Sequence, residues 1–362
     1  MEFYMYWLST LQILGSRRQN FLLEYFGNAQ EAFYASNEAI CAVPGLAEHN
    51  INAILESRDK DKVKSGMEIL QKMGILFTYR GGPDYPSLLA EIPDAPVGLF
   101  YLGRFPDDSL PRVAIIGSRR CSEYGLSTAR RFGAALTGRG IVIVSGMARG
   151  IDSMAHRGAL EGEGPSVFTI AVLGCGVDIC YPAENCGLRD AIAKNGCVIS
   201  EYPPGTKPLA AHFPARNRII SGLSKVVVVV EAGKRSGTLI TVDQAHHQGR
   251  DVMAVPGNIT NKYSEGTNEL IKQGAEPACN YEDILHMLGI WENKTKKPAE
   301  KRPDIATDEK LVYDVLAPHT PLTIEELIVK TNSKPQTVQY VLTMLEIKGY
   351  VKKMPGMRYI KI

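Results

Sequence analysis

The sequence predicts an α/β protein: a doubly wound, mostly parallel sheet, preceded by a helical module and followed by a small helix-and-hairpin domain. Three observations predict it. From Arg112 onward, short apolar runs alternate with helix-length amphipathic stretches, the rhythm of β-α units. The runs are apolar on both faces, as strands covered by helices on each side must be. Several of the runs then exit into a loop that combines glycine with hydroxyl or cationic residues, as expected at the ligand-binding edge of such a sheet.

Taken in order, residues 1–70 read as short helices. Apolar spacing runs through Leu8, Leu11 and Leu14, then through Phe21, Leu22 and Tyr25, and Val43-Pro44-Gly45-Leu46 leads into Ile51, Ile54 and Leu55. A helix, a Pro-Gly turn and a second helix outline a SAM-like or helix-hairpin-helix module, whose turn either offers N–H groups to a phosphate or serves as a plain corner. Residues 75–110 read as an extended, proline-punctuated lead-in. The Rossmann-like region, 71–288 with that lead-in, has predicted strands at Val113–Ile116, Ile141–Val144, Val167–Leu173, Val198–Ser200, Val226–Val230 and Val252–Val255. Its predicted helices are Ser127–Arg139, Asp152–Glu161, Cys186–Asn195, Arg216–Leu223 and Leu239–Gln248. Residues 289–306 are Lys/Pro-rich without apolar periodicity and read as a solvated linker. Residues 307–362 give three helical stretches, Asp308–Leu316, Ile324–Thr331 and Pro335–Lys348, and a hairpin turning at Pro355-Gly356. That is a winged-helix outline.

Composition narrows the function. A hydrophobic share of 44% with 22% charge belongs to an ordinary globular chain. No membrane span is predicted, the N-terminus lacks the basic start and small-residue cleavage site of a secretory signal, and the expected location is cytoplasmic. Seven cysteines, scattered and without a C-x-x-C pair, imply reduced thiols and no metal site. The formal net charge is +2, so affinity for a polyanion must come from local patches.

Those patches lie at the strand exits. The first exit is Gly117-Ser118-Arg119-Arg120, the second Ser145-Gly146-Met147-Ala148-Arg149-Gly150-Ile151-Asp152, the third Gly174-Cys175-Gly176, and a later one Glu231-Ala232-Gly233-Lys234-Arg235-Ser236-Gly237-Thr238. Glycines with hydroxyls and arginines near helix starts make a phosphate-binding rim. Residues 201–250 hold seven Lys/Arg against three acids, and Lys207, Phe213, Arg216, Asn217 and Arg218 share one loop-to-helix stretch. Cations with an interleaved ring suit single-stranded nucleic acid, the cations neutralising phosphates while the ring stacks a base. The bland alternative is that Phe213 is core and Arg216 or Arg218 a buried ion-pair partner. No dinucleotide fingerprint follows the first strand, and no P-loop surrounds Lys234. His246 and His247 are adjacent, which suits neither a zinc face nor a general-base pair. Asp152 stands where a helix begins, and capping or pairing with Arg149 accounts for it. No catalytic residue and no cofactor is predicted.

The same residues resemble the DprA/Smf (DNA-processing protein A) family. The resemblance is carried, in order, by Gly117-Ser118-Arg119, by Ser145 to Asp152 with Ala155-His156, by Phe213 to Leu223, by Ser236-Gly237-Thr238-Leu239-Ile240-Thr241, and by Gly249 to Gly257. Gly266-Thr267-Asn268 and Leu270-Ile271 extend it. It implies a homodimer that coats incoming single-stranded DNA and helps load RecA recombinase during natural transformation. It also implies a binding pocket of Arg119, Lys207, Phe213, Arg216 and Asn217 with the glycine turns at Gly117 and Gly146. Two other functions compete. Rossmann-like phosphoribohydrolases carry a glutamate in a similar loop, where this sequence has Thr241. A winged-helix transcription regulator would need base-reading side chains on Pro335–Lys348, which has little to offer, whereas Lys352, Lys353 and Arg358 of the wing suit phosphate.

Overall fold

The computed structural model describes residues 1–164, 169–234, 236–290, 307–317, 320–354 and 356–361, without the side chains of 307 and 308. Contacts divide the chain into two compact units, Met1–Trp291 and Glu292–Ile362. The expected linker lies, from residue 291 on, outside the described residues.

The first unit begins with six helices: α1 (Glu2–Thr10), α2 (Gly15–Phe26), α3 (Ala29–Tyr34), α4 (Asn37–Cys41), α5 (Glu48–Ser57) and α6 (Lys60–Lys72). Side-chain caps start three of them. Asn28 accepts from the Glu31 amide, Ser36 from that of Ala39, and Asp59 from those of Asp61 and Lys62, each satisfying an amide that the first helical turn leaves unpaired. The Pro44-Gly45 corner joins α4 to α5 with Gly45 at φ +77°, a conformation that a Cβ disfavours. Trp7, Leu8, Leu22, Ile40 and Ile54 are fully buried, and they share their core with Val97 and Phe100 of the region read as a lead-in.

That region is not a lead-in but part of the sheet. It forms β1 (Leu76–Tyr79), α7 (Ser87–Ala90) and β2 (Gly98–Gly103), and both strands pair antiparallel. There follow β3 (Arg112–Ile116), α8 (Glu123–Thr137), β4 (Val142–Ser145), α9 (Ile151–Glu161), β5 (Thr169–Val172), α10 (Cys186–Asn195), β6 (Cys197–Ser200) and α11 (His212–Gly222). The unit ends with β7 (Val226–Val229), α12 (Thr238–His247), β8 (Asp251–Ala254), α13 (Glu265–Lys272), β9 (Glu276–Pro277) and α14 (Tyr281–Met287). The strand order is β1-β2-β6-β5-β4-β3-β7-β8-β9, and every pair from β6 to β9 is parallel.

Alternation along the strands sorts two cores. Ala114, Ile116, Val142, Val144, Val227 and Val229 face α11 and α12, while Val113, Ile115, Ile143, Val226 and Val228 face α8 and α9. The chain winds outward from β3 through β6 and then returns, placing β7 beside β3. The crevice at that reversal, outside the carboxyl ends of β3 and β7, is where a ligand fits such a sheet.

The second unit comprises α15 (Thr307–Val315), β10 (Leu322–Thr323), α16 (Ile324–Thr331), α17 (Pro335–Ile347), β11 (Val351–Met354) and β12 (Arg358–Lys361), with sheet order β10-β12-β11. This is the winged helix. Thr323 and Glu326 close a capping box at the start of α16, and Leu327, Val338, Leu342, Leu345 and Val351 fill the core. Among the described residues of both units, no helix is long and apolar enough to cross a membrane.

One expectation about cysteine fails. Cys180 and Cys186 form a disulfide, which scattered spacing did not reveal because the intervening Tyr181 to Asn185 fold into a tight loop that returns the chain on itself. Cys41, Cys121, Cys175, Cys197 and Cys279 are free.

Candidate nucleic-acid interface

A cleft of about 640 Å³ opens at the crevice between β3 and β7. Its base is set by local bonding. The Ser118 amide donates to the Glu231 carbonyl at 2.8 Å, and the buried Glu231 carboxylate accepts from the Ser122 amide and hydroxyl at 2.8 and 2.5 Å. Ser122 in turn accepts from the Gly125 amide to cap α8. The end of β7 therefore clamps the loop after β3, and Gly117, Ser118, Arg119 and Arg120 line the cleft with both arginines exposed.

The opposite wall is the first half of α11. Phe213, half-buried, packs its ring against the backbone at Gly174, where a Cβ would stand only 3.1 Å from the ring. The Arg119 guanidinium lies 5.3 Å from that ring's centroid, within cation–π range. Tyr181 stands beside Phe213, centroids 5.4 Å apart and planes inclined by 34°. Asn217, Ser236, Gly237, Thr238 and Thr241 add to the lining.

Beneath this wall lies a buried charge pair. Arg216 donates through Nη1 to the carbonyls of Gly146, at 2.6 Å, and Val172. Burial pulls its pKa down to about 10, opposed by the Asp152 carboxylate. Burial likewise pushes Asp152 up to about 6, against the pull of Arg216 and of the Ala148, Gly117 and Gly146 amides. At Gly146 a Cβ would lie 2.7 Å from both the Arg216 guanidinium and the Asp152 carboxylate, so only glycine fits between them. Asp152 is neither the cap nor a partner of Arg149, as the sequence reading had it. Gly150, at φ +77°, caps α9, and Arg149 turns outward to an exposed ion pair with Glu184.

The predicted site residues thus fall into distinct places. Gly117, Ser118, Arg119, Arg120, Phe213, Arg216 and Asn217 converge on the cleft. Gly146 and Arg149 line a smaller recess beside it that also touches Arg119, Tyr181 and Phe213. Lys207 and Lys234 are exposed on loops whose neighbours, Pro208 and Ser236, reach the cleft. Ser145 is buried and donates to the Ile115 carbonyl at 2.6 Å. Arg218 faces the far side of α11, buried, with its guanidinium against Glu201 and Asp94, which is the ion-pair role the sequence left open. Arg235 lies outside the described residues. Tyr181 was missed. It sits in an irregular stretch with no periodicity, and only an aromatic directly before Pro182, downstream of the Gly174-Cys175-Gly176 exit, marks it.

A model of the family described as DNA recombination-mediator protein A matches residues 76–289, and one for the DprA winged helix domain matches 296–357. Protein Smf of Synechocystis is 33% identical, with 98% of each chain covered. The chain belongs to the DprA/Smf family. DNA processing protein DprA of Streptococcus pneumoniae is 48% identical over 56% of this chain and 70% of its own. The S. pneumoniae DprA crystal structure superposes with a TM-score of 0.68 and 37% identity, over 79% of this chain and 97% of that one. A Helicobacter pylori DNA processing protein A, whose structure is described as showing a single-stranded DNA binding mode, superposes at 0.53 with 30% identity, over 59% of this chain and 95% of its own.

Proposed function

We propose that this chain binds single-stranded DNA in the cleft at the carboxyl ends of β3 and β7, and that it acts by binding rather than catalysis. One observation carries the reading. A cation, Arg119, stands over the face of Phe213 with a second ring, Tyr181, alongside, in a crevice open enough for a strand and floored by a further cation. Rings stack unpaired bases whatever their identity, and cations neutralise the backbone between them. The Helicobacter pylori relative, described as binding single-stranded DNA, shares its fold over 59% of this chain. Thr241 lines the cleft where a phosphoribohydrolase would need its glutamate, which favours binding over base release.

Within the same proposal, family membership brings RecA loading, homodimerisation and a cytoplasmic setting, in line with the recombination-mediator description of the matching model. The winged helix contributes less to strand recognition. Its α17 exposes Tyr340 and Ile347, and Lys348 at its end is held by the buried Glu309, so few charges remain to read base edges. The test is a salt-dependent titration against single-stranded and duplex oligonucleotides, alongside an assay for base release from nucleoside monophosphates. Single-strand preference without release is the expected result. Equal affinity for both forms, or measurable turnover, rejects the reading.

A further inference from the structure

A second cavity, of about 660 Å³, opens on the other flank of α11, between that helix and the N-terminal helical region. Pro214 lines both cavities, so the exposed first turn of α11 is the wall they share. A chain lying along the strand-edge cleft has only that turn to cross before it meets the second cavity.

The mouth of this cavity is the start of α2, Gly15-Ser16-Arg17-Arg18. Helix starts favour acidic residues and a capping side chain, because their N–H groups and the positive end of the dipole face outward. Here Leu14 stands at the cap position with no side-chain acceptor, and the first turn carries two arginines and no acid. Positive side chains on a positive helix end form a local conflict that an anion relieves. Both arginines are exposed. Arg17 approaches Asp94 only to 4.0 Å, and Arg18 makes a long contact of 3.5 Å to the Leu14 carbonyl.

The floor supplies an independent sign of the same chemistry. Arg218 lines the cavity with its side chain only 7% exposed. Its Nη2 pairs with Glu201 and its Nε faces Asp94 at 3.5 Å, while Nη1, buried, has no hydrogen-bond partner. A buried guanidinium nitrogen without an acceptor is costly unless something completes it. Glu201 is turned to Arg218, and Asp94 is shared between Arg218 and, at 4.0 Å, Arg17, so the mouth keeps an excess of positive charge with Arg18 paired to neither carboxylate.

We propose that this second cavity is a phosphate subsite for the same strand. The DNA backbone leaving the strand-edge cleft crosses the Pro214 turn and brings its next phosphodiesters to Arg17 and Arg18 in the first turn of α2. The proposal rests on the single-strand reading of the main cleft. It assigns the N-terminal helical region a direct part in binding and makes the occluded strand longer than the main cleft alone would cover.

The test uses the full chain carrying Arg17→Gln and Arg18→Gln together, with fluorescent oligothymidylates of about 5 and about 20 nucleotides, one short enough for a single groove and one long enough for both. Replacing cations at a helix start should leave the thermal midpoint unchanged or slightly raised. The short probe should bind as it does to the unmodified chain. The long probe should lose about tenfold in affinity, with the log–log salt slope flattened by about 1.4 for two lost phosphate contacts. Unchanged affinity and slope for the long probe overturn the subsite. Equal loss for both lengths also overturns it, because the arginines would then be supporting the main cleft. A parallel variant with Arg119→Ala and Phe213→Ala should weaken both probes. If it weakens neither, the strand-edge reading itself falls, and this subsite with it.

Discussion

Phe213→Ala tests whether the cleft reads exposed bases. The ring is half-buried, backed by the Gly174 backbone, flanked by Tyr181 at 5.4 Å and overlain by Arg119 at 5.3 Å. A base stacked on such a platform contributes about 1–3 kcal/mol, so the alanine variant should lose roughly 5- to 150-fold in single-strand affinity. Duplex bases are already stacked and paired, so duplex affinity should change far less. Tyr181→Ala, alone and combined, completes a double-mutant cycle in which rings this close should couple by about 0.5–1.5 kcal/mol. Fluorescence anisotropy at fixed salt, with labelled single and double strands, gives both affinities for each variant. A folded Phe213→Ala protein that loses the two affinities in equal proportion would refute the stacking role and leave the ring as packing for α11.

Arg119→Ala and Lys207→Ala should each weaken binding with little dependence on base sequence and flatten the salt slope by about 0.7, and an unchanged slope would remove either residue from the phosphate path. Glu184→Gln should release Arg149 toward the recess beside Phe213 and tighten single-strand binding about two- to fivefold, the modest gain an exposed pair allows; unaltered or weaker binding would place Arg149 outside the path. A chain ending at residue 291 should stay folded and keep most single-strand affinity. The cut belongs there because Leu288 and Ile290 still pack on the core formed with α14; loss of nearly all affinity with the core intact would move the site to the winged helix. His156 is fully buried with Nδ1 2.7 Å from the Thr169 hydroxyl, and burial pulls its pKa to about 3. The unfolded histidine titrates near 6.5, so between those values the unfolded chain binds the extra proton. The stabilisation from keeping His156 neutral is therefore complete above about pH 6.5 and is lost as pH falls toward 3, by up to about 1.4 kcal/mol per unit. Denaturant melts of the His156→Gln variant should show a flatter acid limb than the parent, and parallel limbs would contradict this.

Much of the central sheet was legible because parallel strands buried on both faces announce themselves as apolar runs at regular intervals. β7 and α10 fall where periodicity placed them. β1 and β2 were not legible, since antiparallel strands added outside the winding have no crossover helix to give them rhythm, and Pro83, Pro86, Pro93 and Pro96 between them read as a connector. α11 begins four residues before its predicted start because Pro214 is tolerated in a first turn, where its missing N–H has no partner to lose. At the site, glycine-bearing exits and Phe213 were visible from residue type alone. The burial of Arg216 had a signal too. Arg216, Ile219, Ile220 and Leu223 share one helical face, and three apolar members predict where the fourth points. The direction of Arg218 depended on Asp94 and Glu201, which only the tertiary fold brings near.

Arg216 lines the floor of the cleft with its guanidinium buried, held on the Gly146 and Val172 carbonyls and beside the Asp152 carboxylate. Mobile salt ions screen the exposed rim cations but cannot crowd around a guanidinium sealed by the Gly146 and Val172 carbonyls. Raising ionic strength should strip the rim's contribution, while at neutral pH the Asp152 carboxylate offsets the Arg216 charge and leaves the floor little net attraction of its own. The salt dependence of binding should therefore be set by the exposed rim cations alone, log affinity falling along one straight line against log salt.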